Sequence, residues 1–386
     1  MQRIARRSSL APRVLRVAAA PSAHRQYAGL AAVDGSGRRR LWRWGGDAPG
    51  AEVSEVPQVM EKGHGVSAAA CGSGHSAFVV GGKLFTFGSN ESGVLGREAG
   101  SGDAQPGHVV IEASDGHRPA CQQISLGSKH SAAITEGGVL WTWGYGGSFW
   151  YGAGALGLSK RQEVVRPEMV QTFVQRGVEV KQVACGGMHT IVLDTQGRLF
   201  TTGEGKHGRL GRGSMFMLEE LEFGEVTFFS QNQDSVMNPG EEPQIIKVDA
   251  GQNFSAALSR HGEIWVWGAN DSGQLGMGQL VMAVKDFGMK YPFLIRTLPL
   301  EGHSLQDIAC GENHMIAVTT AGAIYEWGAR RYFEPRPISL PSRYQDGIKG
   351  IVKLAAGDRC SFALTNSGKL YSWGEKSTGC LLLGPE

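Results

Sequence analysis

Four histidines in this 386-residue chain share one spacing, each standing three residues after a glycine: His75, His130, His189 and His314. Imidazole is the commonest metal ligand and the side chain best placed to move protons near neutral pH, so the pattern invites a metal or acid–base reading. The surroundings oppose it. Each histidine opens an alternating apolar run, such as His75-Ser76-Ala77-Phe78-Val79 or His189-Thr190-Ile191-Val192-Leu193, the pattern of a strand with one buried face. Two further copies of the same context carry Phe254 and Cys360 instead. Equivalent places in a long repeat are distributed over successive units, whereas a metal needs its ligands at one point. The histidines are therefore expected to be buried rings, hydrogen-bonded within their own repeat. The pairs His75-Ser76 and His130-Ser131 cannot form a hydrolytic dyad, because neighbours on a strand point to opposite faces.

The other reactive residue types give no more. Of six cysteines, Cys71, Cys185 and Cys310 occupy an Ala-Cys-Gly context where other copies read Leu126-Gly127, Ala250-Gly251 and Ala356-Gly357. A position that accepts Cys, Leu or Ala is a small apolar core site, and no CxxC pair occurs. No Gly-x4-Gly-Lys-Ser/Thr phosphate loop is present, and Gly203-Glu204-Gly205-Lys206 recurs as a strand-to-loop position. No catalytic residue, metal ligand or cofactor is expected, and the chain is not read as an enzyme.

The elements that hold these residues repeat. Six long copies of one unit end at Gly88, Gly144, Gly203, Gly268, Gly328 and Gly374, and a degraded copy ends at Gly45, with spacings from 43 to 65 residues. Each unit has the alternating strand, a glycine turn, and an aromatic strand such as Leu140-Trp141-Thr142-Trp143 or Ile264-Trp265-Val266-Trp267. Eight of nine tryptophans lie on these aromatic strands and are explained by packing. Between hairpins come proline-led runs at Pro57, Pro106, Pro167, Pro243, Pro292 and Pro337, read as outer strands because proline lacks a ladder donor. An x-Leu-Gly element follows in four units, at Leu95-Gly96, Leu156-Gly157, Leu210-Gly211 and Leu275-Gly276, and is missing after Gly328, where the blade is expected to be shortened. The reading is an all-β, seven-bladed propeller of four-stranded antiparallel blades, closed by N- and C-terminal segments that complete one shared blade. The 57 glycines follow from so many turns.

The net charge of +2 conceals an asymmetry. Arg3, Arg6, Arg7, Arg13, Arg16 and Arg25 precede the first acid, Asp34; removing those six from 38 basic residues leaves 32 against 36 acids. An Arg-rich, acid-free, Ser/Ala-rich leader is read as a mitochondrial presequence over residues 1–27, with 28–386 forming the propeller. A disordered basic tail is the plainer alternative. No membrane span is expected, since apolar residues never run to the roughly 18 uninterrupted positions required.

Function is sought where the repeat breaks. An inserted loop near 145–157 carries Phe149, Trp150 and Tyr151 among glycines; these are either interface anchors or side chains tucked over the blade. A longer excursion, about 212–242, holds seven acids with Phe216, Phe223, Phe228 and Phe229, either a dock for a basic partner or a loose surface loop. After Gly328, Arg330, Arg331 and Tyr332, with Arg336, form the best basic and aromatic cluster in the body, suited to single-stranded RNA or to a solvated rim.

The combined pattern of Ala-x-Gly-x-x-His-Ser, glycine turn, Leu-Tyr/Trp-x-Trp-Gly and x-Leu-Gly resembles the regulator-of-chromosome-condensation repeat family from about Leu30 to Gly384. The resemblance implies a propeller that works by contact. A chromatin-bound member is the exchange factor for a small nuclear GTPase and uses a polar, acidic loop at a similar place. Gly147-Ser148-Phe149 looks similar to it, whereas Trp150-Tyr151-Gly152-Ala153-Gly154 departs from it. Members with mitochondrial presequences serve ribosome assembly, RNA processing or respiratory-complex biogenesis. The expectation is a non-enzymatic interaction scaffold of the mitochondrial matrix, a monomeric propeller within a larger assembly, whose partner is a protein or ribonucleoprotein. The alternative is a guanine-nucleotide exchange factor for an organellar small GTPase, and direct RNA binding ranks third.

Overall fold

A computed structural model describes the backbone of residues 13–19, 27–33, 39–45 and 54–61, and residues 66–374 apart from 99, 101–104, 149–151, 214–218, 232–241, 279–287, 297–299, 301, 339–349 and 367–369. Alternating strands and glycine turns produce up-and-down antiparallel sheets in which sequence neighbours pair. Blades 1 to 6 span residues 13–61, 66–109, 121–169, 180–225, 245–294 and 305–337. The seven four-stranded blades expected are thereby corrected to six. Among the described residues the last repeat forms a three-stranded sheet from Ile351–Ala356, Cys360–Thr365 and Leu370–Gly374.

Closure differs too. Among the described residues no shared blade is seen: residues 13–61 make their own four-stranded sheet, and its first strand, Arg13–Ala19, packs beside Val66–Cys71 and Ile351–Ala356. That strand lies inside the stretch read as a presequence and pairs with Tyr27–Val33. The C-terminal Leu381-Leu382-Leu383-Gly384 segment lies outside the described residues.

Second strands such as His130–Thr135 and Phe254–Ser259 are buried at every position, because each blade is covered by a neighbour on both faces. Trp143, Trp265, Trp267, Trp327 and Trp373 fill the spaces between blades, each burial stabilising by about 1.5–3 kcal/mol. On the inner strands, side chains staple one blade to the next. Gln182 Oε1 accepts from Val248 N (3.1 Å), Asp249 Oδ2 from Cys310 N (3.0 Å) and Asp307 Oδ2 from Leu354 N (2.8 Å). The five described cysteines are buried free thiols.

Two expectations about outer strands also change. The Pro243 run leads into the inner strand Ile245–Ala250 of blade 5; the outer strand of blade 4 is Glu219–Glu225, from the acidic excursion. A short helix, Phe228–Gln231, then packs Phe228 and Phe229 edge-on against Trp265. The described part of the excursion is thus built into the blade. Blade 6, expected to be shortened, keeps a fourth strand, Tyr332–Pro337.

Candidate functional site

One loop face of the propeller carries a hydrogen-bonded relay between blades. His75 Nε2 meets Ser131 Oγ (3.0 Å), His130 Nε2 meets Thr190 Oγ1 (2.9 Å), His189 Nε2 meets Ser255 Oγ (3.0 Å) and His314 Nε2 meets Ser361 Oγ (3.0 Å). The bonds run to the next blade, correcting the expectation of bonding within a repeat. Where Phe254 replaces histidine, Met315 replaces the hydroxyl residue, and the two share one apolar cluster. Burial drives the His75 and His130 pKa values down to about 3 and lowers His189 and His314, so the rings are neutral. The glycine of Gly-x-x-His is required because a Cβ at Gly127 would lie 2.4 Å from the His130 ring.

The x-Leu-Gly element completes this relay as a plug in the groove between blades. Val94, Leu95, Ala155, Leu156, Leu210, Gln274 and Leu275 are buried. The carbonyl of the residue before leucine accepts from the next blade. Val94 O takes Ser131 Oγ and Trp143 Nε1 (both 2.8 Å), Ala155 O takes Thr190 Oγ1 (2.6 Å), Arg209 O takes Ser255 Oγ (2.9 Å) and Trp267 Nε1 (2.8 Å), and Gln274 O takes Trp327 Nε1 (3.0 Å). Because Ser131 gives its proton to that carbonyl, His75 Nε2–H is the donor to Ser131. The leucine carbonyls of three plugs are held by Thr86, Thr142 and Thr201 on the plug's own blade.

Between blade 6 and the terminal sheet no plug is found among the described residues, and a cavity of about 670 Å³ opens there. Glu326 stands where Thr86, Thr142 and Thr201 stand, and its Oε2 accepts from Trp373 Nε1 (2.9 Å) in place of the missing carbonyl. Ser361 is buried and bonded to His314, but the second acceptor that Ser131, Thr190 and Ser255 enjoy is absent among the described residues. Glu312 and Asp358 face one another; burial and the Asp358 carboxyl raise the Glu312 pKa to about 8, against the pull of Arg359. The Ser361–His314 pair resembles a nucleophile and base, yet it repeats the relay of three filled grooves and its base is neutralised by burial, so it is structural. Among the described residues, no group of three or more His, Cys, Asp or Glu could hold a metal.

Arg330, Arg331 and Tyr332 are brought together at the mouth of this cavity. Arg331 and Arg336 lie over the Tyr332 ring at 5.1 and 5.4 Å. Ala329 and Arg330 adopt left-handed backbone (φ 54° and 58°), the tight turn that replaces the plug loop. Asp271 (3.9 Å from Arg330), Glu312, Glu326 and Asp358 interleave with Arg330, Arg331 and Arg359, so the surface is mixed in charge and not a basic track for RNA. Phe149, Trp150 and Tyr151 lie outside the described residues; their stem is a hairpin in which Gly147 pairs with Ala153 and Ser148 with Gly152. Sequence reasoning missed Glu312, Glu326, Asp358, Ser361 and Trp373. The available signal was the lost Leu-Gly together with glutamate at a threonine position.

The RCC1-like domain model matches residues 148–385, and two models of the regulator of chromosome condensation (RCC1) repeat match 81–134 and 121–149. The chain belongs to the RCC1 repeat family. The RCC1 domain-containing protein RUG3, mitochondrial, of Arabidopsis thaliana is 31% identical over 261 residues, covering 67% of this chain and 52% of RUG3. Across the curated relatives compared, this RCC1-like chain spans from 5 to 60% of their length. Among solved structures, human WBSCR16 gives a TM-score of 0.69 at 21% identity, covering 88% of this chain and 85% of that one. Yeast RCC1 (Prp20), solved bound to Kap60, gives 0.67 at 21% identity, covering 89% and 80%. At that identity the likeness concerns the RCC1 fold alone.

Proposed function

We propose that this RCC1-repeat protein is a non-enzymatic protein-interaction scaffold of the mitochondrial matrix, serving mitoribosome assembly, mitochondrial RNA processing or respiratory-complex biogenesis. The observation that carries the reading is the break in the loop face. One groove is left unfilled at a mixed-charge rim while the neighbouring reactive groups are tied up in blade packing. The Arg-rich, acid-free first 27 residues and the mitochondrial relative RUG3 support a mitochondrial location. Removing residues 1–27 would also remove Arg13–Ala19, leaving blade 1 with three strands like the terminal sheet. Crosslinking mass spectrometry on intact mitochondria tests the proposal. Crosslinks from the loop face to ribosomal, RNA-processing or respiratory-assembly proteins are expected, and their absence from organelles that contain the chain overturns it.

A second reading, guanine-nucleotide exchange on an organellar small GTPase, is favoured by the Gly147–Ala153 hairpin that carries the three aromatics. Exchange needs only distortion of the bound GTPase. Replacing Phe149, Trp150 and Tyr151 with alanine should then abolish accelerated nucleotide release, and unchanged release removes this reading.

A further inference from the structure

We propose that the groove between blade 6 and the terminal sheet is a socket for a partner protein's loop of basic-Leu-Gly type, which enters as the plug the chain itself lacks there. Four other grooves show the occupant this architecture accepts: a buried residue–leucine–glycine turn whose first carbonyl takes a serine or threonine hydroxyl, a tryptophan indole, or both. The unfilled groove presents the same receptors, Ser361 and Trp373. Ser361 is 3% exposed, lines the cavity, and has only His314 as a partner among the described residues. In the filled grooves the equivalent hydroxyls of Ser131, Thr190 and Ser255 give their proton to the plug carbonyl. The cavity, about 670 Å³, has the size of a site for a short peptide segment.

Charge selects the first residue of that segment. Arg209, at this place in the plug between blades 4 and 5, is buried and pairs with Glu204 at 3.3 Å. The unfilled groove instead offers Glu312, Glu326 and Asp358; Arg359 stands 3.8 Å from Asp358, and burial and the Asp358 carboxyl keep a proton on Glu312. A lysine or arginine entering here replaces that proton, so binding at neutral pH releases it. On entry the loop's first carbonyl takes Trp373 Nε1 in place of Glu326, whose carboxylate then faces the incoming cation.

This inference rests on the scaffold reading only in supposing that a partner exists. The probe is a cyclised peptide copying the chain's own plug, Gly205 to Arg212, titrated by calorimetry against the full-length protein in two buffers of different ionisation enthalpy. We expect saturable one-to-one binding with net proton release. Ser361→Ala, and leucine-to-alanine replacement in the peptide, should each weaken it roughly tenfold, the equivalent of one buried hydrogen bond or side chain. Trp373→Phe keeps the ring and loses only the donor, and serves if Ser361→Ala misfolds. Three results overturn the proposal: no saturation at millimolar peptide, equal binding by the alanine-substituted peptide, or binding that emerges only after deletion of residues 375–386, which would assign the groove to the chain's own C-terminus. Failure of the peptide leaves a scaffold acting through the 149–151 loop intact, whereas an empty crosslinking experiment defeats the scaffold and leaves the groove's chemistry standing.

Discussion

The groove between blades 4 and 5 and the groove between blade 6 and the terminal sheet are built from the same parts and end differently. In the first, Ser255, held by His189, and Trp267 converge on the carbonyl of Arg209, and Leu210-Gly211 closes the space. In the second, His314, Ser361 and Trp373 are in place, the plug is absent, and Glu326 reaches over to satisfy the indole. The comparison teaches that a repeat protein can open a site without adding anything. Deleting one loop exposes receptors that packing elsewhere consumes, and one threonine-to-glutamate exchange satisfies the donor that would otherwise be stranded at a cost of about 1–3 kcal/mol.

The largest expected effect tests the relay common to both grooves. The folded pKa values of His75 and His130 lie below the unfolded value, so the unfolded state binds more protons between pH 6.5 and about 3, and stability falls as pH falls through that window. Between pH 7 and 5 each histidine should remove about 2 kcal/mol, roughly 4 kcal/mol together, measured by urea unfolding. His75→Phe with Ser131→Met, copying Phe254 and Met315, should abolish about half of that loss. If the acid sensitivity is unchanged, the relay is not the titrating element.

Next comes the plug itself. Leu210→Ala should cost about 2–5 kcal/mol in chemical denaturation, since it empties a filled groove. Gly211→Ala meets both a left-handed backbone (φ 70°) and the Trp267 indole nitrogen 2.9 Å from the added Cβ, so it too should destabilise, by about 1 kcal/mol or more. A smaller effect is expected from repairing the odd groove. Grafting the Asn270–Met277 loop after Gly328 together with Glu326→Thr should raise stability by about 1 kcal/mol and eliminate binding of the plug peptide. A graft that folds but still binds it would separate the peptide site from the groove.

An effect of the opposite sign concerns Glu312. Its folded pKa is raised, so its contribution to stability is complete below pH 4.5 and is lost as pH rises through about 8. Glu312→Gln keeps the neutral form and should flatten the stability profile between pH 5 and 8, opposite in sign to the histidine effect. An unaltered profile would mean that the carboxyl pair does not share a proton.

Much of the architecture was legible in the sequence for a physical reason: strands alternate, turns need glycine, and a unit that buries its face only against neighbours must recur. The Gly-x-x-His and Leu-Gly spacings announced positions that structure later explained, and the missing Leu-Gly after Gly328 was visible as a gap. Blade number was not legible. Seven closing glycines suggested seven equal blades, but whether a repeat acquires its fourth strand depends on chain far from its hairpin, as blade 4 shows by taking Glu219–Glu225 from the acidic excursion while the last sheet has three.

Residue types and their spacing alone therefore determined the hairpin unit, its repetition and the buried aromatic strand, all consequences of local periodicity and turn chemistry. Only the tertiary structure decided that the histidines bond across blades to Ser131, Thr190, Ser255 and Ser361, and that Glu326 substitutes for an absent carbonyl. Those partners lie 47 to 66 residues apart in sequence. No local rule brings such positions together; the packing of one blade on the next does.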